Sequence, residues 1–138
     1  MAELTGYAPY FEVFDMIESA RFYRDVLGFD LLYASPEVET AEGRFSHFMR
    51  LARGPVQVML NTAYDSNERP ADRSEPRWAG CRHVALYIDC DDVAALHAEM
   101  TARGLKTDPP AIAEYGYLAF TARDPDGYGL IFHQPAEA

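Results

Sequence analysis

Apolar and polar positions alternate along Pro9–Phe14 (PYFEVF) with the period of two that a half-buried strand shows. Ala8, Tyr10 and Glu12 share one face, and Pro9, Phe11 and Val13 share the other. The period then changes. In Asp15–Phe29 (DMIESARFYRDVLGF), Ile17, Ala20, Tyr23 and Leu27 fall on one helical stripe. Asp15 and Glu18 stand at capping-box spacing, and Gly28 supplies the stop. Phe29–Ser35 (FDLLYAS) predicts a second strand. RFSHFMRL and VQVMLN predict a third and fourth, joined at Ala52–Pro55.

The second half repeats this order. His83–Ile88 (HVALYI) predicts a strand, with His83, Ala85 and Tyr87 opposing Val84, Leu86 and Ile88. CDDVAALHAEMTARG predicts a helix with an acidic start, a face of Val93, Leu96 and Met100, and a stop at Gly104. LKTDPP reads as a short strand ending at its prolines. YLAFTAR and YGLIFHQ complete the set around an Asp-Pro-Asp-Gly turn. His83 lies 75 positions after Ala8, and Gly127 lies 73 after Gly54. This near-constant offset marks one βαβββ unit written twice.

The expected fold class is α+β: two tandem βαβββ modules whose curved mixed sheets form a cleft. One domain would span 1–138, with modules at 8–61 and 81–135 and a polar surface linker over 62–80. A helix can cover only one face of each sheet. The other face needs a second copy of the unit, from this chain or from a partner, which predicts a homodimer.

Composition narrows the functions. Hydrophobic residues make up 49% and aromatics 13%, which supports a packed core rather than disorder. No apolar run reaches the roughly 18 residues of a membrane span. The opening MAELTGYAPY lacks signal-peptide character, so a cytoplasmic location is expected. A net charge of −10 argues against nucleic acid, which needs a cationic face, and is compatible with a cationic small ligand. Cys81 and Cys90 form no CxxC pair and read as ordinary thiols.

Three stretches carry a family resemblance: DMIESARFYRDVLGF, HVALYI with the acidic residues after it, and DPDGYGLIF. Together they resemble the vicinal-oxygen-chelate superfamily, which includes glyoxalase I, bleomycin-resistance proteins, extradiol dioxygenases and fosfomycin-resistance enzymes. Its metal-dependent members take ligands from four strands. Carried over, those positions fall at Ala8, Met59, His83 and Ile131 of this chain. Ala8 and Ile131 cannot coordinate a divalent cation, and Met59 is a soft thioether. The resemblance therefore implies a metal-free member without a cofactor, nearest in pattern to the bleomycin-resistance type and so to antibiotic resistance.

Alternation selects the pocket candidates. Gln57, Met59 and Asn61 share a face of the fourth strand, and Gly129, Ile131 and His133 share one of the last. Aromatics mixed with a few polar groups suit a ligand pocket. The candidate ligand-binding set is Tyr10, Glu12, Met59, Trp78, His83, Tyr87, Tyr115, Tyr117, Ile131 and His133. Trp78, Tyr115 and Tyr117 are read as loop aromatics able to stack on a planar ligand. His47 is a weaker pocket candidate, and His97 is assigned no function. The leading reading is sequestration of a bulky aromatic compound, with cationic ones favoured, without altering it. The alternative is a lyase, isomerase or dioxygenase using His83, His133 or Glu12 as base or atypical metal ligands.

Overall fold

The computed structural model describes residues 1–136. Strand β1 (Tyr10–Val13) leads into helix α1 (Met16–Arg21), which continues through a wider π turn over Phe22–Val26. Asp15 caps α1 by accepting from the Glu18 N–H at 3.2 Å. Gly28, at φ +76°, ends the segment in a conformation that disfavours any side chain. Strand β2 (Asp30–Ala34) follows, then β3 (Val38–Thr40), β4 (Gly43–Phe45), β5 (Phe48–Arg53) and β6 (Val56–Thr62). After them come α2 (Pro76–Gly80), a 3-10 turn at Cys81–His83, β7 (Ala85–Asp89) and α3 (Val93–Ala102). Asp92 caps α3 by accepting from Ala95 N–H at 3.0 Å. The chain closes with β8 (Ala111–Ile112), β9 (Tyr117–Arg123) and β10 (Gly129–Pro135).

Two four-stranded mixed sheets result, in the orders β1-β6-β5-β2 and β7-β10-β9-β8, and β3-β4 forms a separate hairpin. In each large sheet the first and last strands of the module pair in parallel, β1 with β6 and β7 with β10. The architecture is α+β with two related sheet modules.

Four local expectations need correction. The predicted third strand is broken at Ser46 and His47, where the His47 ring bonds the hydroxyls of Thr62 and Ser66. His83 lies in the 3-10 turn rather than in a strand. LKTDPP stays unpaired, and pairing starts at Ala111, because Pro109 and Pro110 have no N–H to give a ladder. The segment 62–80 is more than a linker: it contains α2 and the buried Trp78.

One apolar core spans both sheets. Phe11, Val13, Leu51, Val58 and Leu60 point toward α1 residues Met16 and Ala20, while Phe120, Leu130 and Phe132 pack with Val93 and Met100 of α3. Buried side chains alternate with more accessible ones along β1 and through the middle of β6, as the period of two requires. The Asp124–Gly127 turn joins the modules. Asp126 accepts from the Phe14 N–H at 3.2 Å, and Tyr23 donates its hydroxyl to Asp124 at 2.9 Å. Tyr128 stacks on Phe11 with centroids 4.1 Å apart and donates to the Glu12 carbonyl at 3.0 Å.

The faces away from the helices remain open. Tyr10 on the first sheet is 51% exposed, and Tyr87 on the second is 60% exposed. Among the described residues, no hydrogen bond, ion pair or aromatic contact links the two open faces. The surface of 8466 Å² exceeds the roughly 7,200 Å² typical of a monomer of this mass, with the exposed N-terminal residues contributing part of the excess.

Candidate functional site

The first open face is built by register. Tyr10 lies opposite Met59, Met59 opposite Arg50, and Arg50 opposite Tyr33. The next row is Glu12, Asn61 and Phe48. Arg50 donates to the Gln57 side chain at 2.7 Å and lies 4.0 Å from the Met59 sulfur. The Glu12 carboxylate is engaged by Arg77 of α2, so it is not free for a ligand cation. Sequence reasoning missed Arg50. Its own alternation in FMRL was readable, but its place beside Met59 depends on the β5–β6 pairing.

The second open face centres on His133. Tyr87 and Tyr117 place their rings 5.4 and 4.7 Å from the imidazole. Nδ1 of His133 meets the Tyr115 hydroxyl at 3.3 Å, and Nε2 meets Asp89 at 3.1 Å. His133 is largely covered by these neighbours, with its side chain 12% exposed. Asp89 was not singled out from sequence. It continues the Ala85, Tyr87 alternation and pairs with His133 in the β7–β10 ladder. Ile131, opposite Tyr87, floors this face.

Of the predicted residues, Tyr87, Tyr115, Tyr117, Ile131 and His133 gather on the second face, and Tyr10, Glu12 and Met59 on the first. His83 is exposed in its turn and joins neither group by a hydrogen bond or ring contact. Trp78 is 4% exposed and packs with Phe14 and Cys81 in a small separate core, donating its indole N–H to Tyr64 at 3.1 Å. Its placement departs from the loop-stacking expectation because α2 folds the ring inward. His97 packs edge-on to Phe120.

A metal does not fit the positions its relatives would use. Met59 and Ile131 offer no hard donor on the open faces, Ala8 offers none at all, and His83 lies outside the sheets. Among the described residues, no three His, Cys, Asp or Glu side chains gather as a site for an ion.

The most perturbed titratable groups lie elsewhere, at the module junction. Burial pushes the Asp124 carboxyl up to about 6, even though the Tyr23 hydroxyl and two backbone N–H groups favour its ionised form. Burial also raises Asp126, against the opposing pull of Arg73 at 2.8 Å. Tyr23 is raised by burial and by the adjacent Asp124. Clustered shifts can mark catalysis, but here each group is occupied in joining β1 and α1 to the β9–β10 turn. The DPDG stretch is thus a structural clasp, while the His133 at the far end of its strand faces the open side.

Residues 11–132 match the Glyoxalase/Bleomycin resistance protein/Dioxygenase superfamily. The chain belongs to that superfamily. Among solved superfamily-like structures, an antibiotic binding protein from Streptomyces sp. CB03234, TnmS3, is 25% identical, with 99% of each chain covered and a TM-score of 0.67. A bleomycin-binding protein from Streptomyces verticillus, solved with copper(II)-bleomycin, is 19% identical over 100% of both chains, with a TM-score of 0.68. A glyoxalase/bleomycin resistance protein/dioxygenase from Nocardioides reaches a TM-score of 0.70 at 18% identity, covering 100% of this chain and 88% of its own. Among curated protein sequences, none matches the chain. The superfamily's scaffold hosts many chemistries, so the fold by itself assigns none.

Proposed function

We propose that this protein binds a planar aromatic compound and sequesters it unchanged, between the first-sheet face of one copy and the second-sheet face of another. The observation that carries this reading is the Tyr87, Tyr115, Tyr117 and His133 cluster on a sheet face left open by its own chain. Aromatic groups bury large area and stack at little entropic cost. The 25% identical antibiotic binding protein, covered almost end to end, supports small-molecule binding. Arg50 sits on the first face and Glu12 is already paired, so stacking rather than ligand charge supplies the affinity there.

A second reading rests on Asp89, His133 and Tyr115. A carboxylate, an imidazole and a phenol in sequence can hold and move a proton, which would suit a metal-free isomerase or lyase. One experiment separates the two. The protein is titrated with phenazine and 9-aminoacridine, its sedimentation is followed at micromolar concentration, and the recovered compounds are weighed by mass spectrometry. Sequestration requires a dimer, unaltered ligand, and affinity that falls about tenfold in Tyr87→Ala, the loss of one good stacking contact. A monomer that binds neither compound overturns the proposal. Recovery of a chemically changed ligand favours the second reading.

A further inference from the structure

The two modules are not equivalent where their hairpins meet the opposite helix. Five residues, Asp124–Tyr128, link β9 to β10 and fill the space over the end of β1. Only Gly54 and Pro55 link β5 to β6. That shorter turn offers nothing like Asp126 or Tyr128 to the end of β7. A cavity of about 470 Å³ remains there, between the β5–β6 hairpin and the first half of α3. Its volume falls within the roughly 300–1,000 Å³ of small-molecule sites.

The lining divides by exposure. Phe29, Ile88, Met100 and Phe132 are buried and form an apolar floor. Asp91 and Asp92 are exposed and stand at the rim, Asp92 also capping α3, while the Asp89 carboxylate turns to His133 on the open face. The wall carries one cation, Arg53, and its charge is already used. Its guanidinium makes two bonds to Glu99, at 2.8 and 2.9 Å, and a third to the Leu27 carbonyl at 2.9 Å. The hydrogen bonds from Arg53 hold the Glu99 carboxyl below its ordinary range, so this pair stays intact at neutral pH. The remaining rim is acidic.

We propose that this cavity is a second ligand site, separate from the open sheet faces, and that it takes a small aromatic amine: the ring on the apolar floor and the ammonium at the aspartate rim. An anion would meet the carboxylates of Asp91 and Asp92 and, among the described lining residues, no free cation.

Cys90 lines the cavity and is half-buried, whereas Cys81 is buried in a different core, so one thiol reports on the site. The probes are (1-naphthyl)methylamine and its anionic counterpart 1-naphthylacetate, with binding read by calorimetry and by protection of Cys90 from N-ethylmaleimide. The amine should bind at least about tenfold more tightly than the acid at low ionic strength, and about 0.5 M salt should erase most of that gap. Ala95→Trp, which fills the mouth from an exposed position of α3, should abolish both signals while leaving phenazine binding at the open faces unchanged. Asp91→Asn should narrow the preference for the amine. Equal binding of amine and acid, no binding up to about 5 mM, or unchanged amine binding in Ala95→Trp overturns the proposal. So does Cys90 protection that appears without ligand and disappears on dilution, because a second copy would then cover the cavity.

Discussion

Replacing Asp124 by Asn tests the buried clasp through its proton. In the fold, Asp124 Oδ1 accepts from the Asp126 and Tyr128 N–H groups at 2.9 and 3.0 Å, and Oδ2 faces the Tyr23 hydroxyl. An Asn side chain keeps the first oxygen as acceptor and presents an N–H₂ donor to Tyr23, much as the protonated acid would. Burial raises the carboxyl from 3.8 to about 6 in the folded state. The folded protein therefore holds this proton more tightly than the unfolded chain. The resulting stabilisation is complete below pH 3.8 and is lost as pH rises through about 6. At 1.36 kcal/mol for each tenfold change in proton affinity, the loss is about 3 kcal/mol. The substitution has no proton to lose, so Asp124→Asn should gain on the natural protein by about 2 kcal/mol between pH 4.5 and 7.5, the part of the loss that falls inside that window. The assay is urea unfolding across that range, followed by the emission of Trp78, the single tryptophan, which is buried beside Phe14 near the clasp. Using the difference between the two proteins cancels Glu99, which moves the opposite way and lies outside the clasp. A stability difference that stays constant with pH, or that shifts toward the natural protein as pH rises, would refute the argument.

Two further outcomes follow from local geometry. Tyr23→Phe removes the hydroxyl that supports the ionised Asp124, so it should cost about 1–3 kcal/mol at pH 7 and less at pH 4.5, as read by the same unfolding titration. Gly28→Ala places a methyl in a left-handed backbone at φ +76° and 3.0 Å from the Arg53 guanidinium, so it should destabilise by about 1–2 kcal/mol and shift the thermal midpoint downward in calorimetry.

Much of the scaffold follows from local pattern. The split of β1 into Tyr10 and Glu12 against Phe11 and Val13 needs only the alternation of a strand, and the structure buries the second pair. The same holds for Tyr87 against Ile88, with Leu86 partly buried, and for Ile131 and His133 against Leu130 and Phe132. Asp15 and Asp92 act as caps because a carboxylate three residues ahead reaches the first free N–H groups of a helix without help from the rest of the fold. The repeat was readable because each module writes these same short-range signals.

The chemistry of the faces was decided at long range. Arg77 takes the Glu12 carboxylate across 65 residues, and Asp126 reaches the Phe14 N–H across 112. Trp78 looked like an exposed loop aromatic, but α2 turned it into a core that no periodicity announces. Arg50 reached the ligand face, and Asp89 reached His133, through strand register. The cavity beside α3 exists because two hairpins at equivalent positions differ in length. Periodicity assigns a side chain to one face of its own element. Which distant partner neutralises, covers or stacks on it depends on how the elements pack, and that is settled only when the whole chain closes its core.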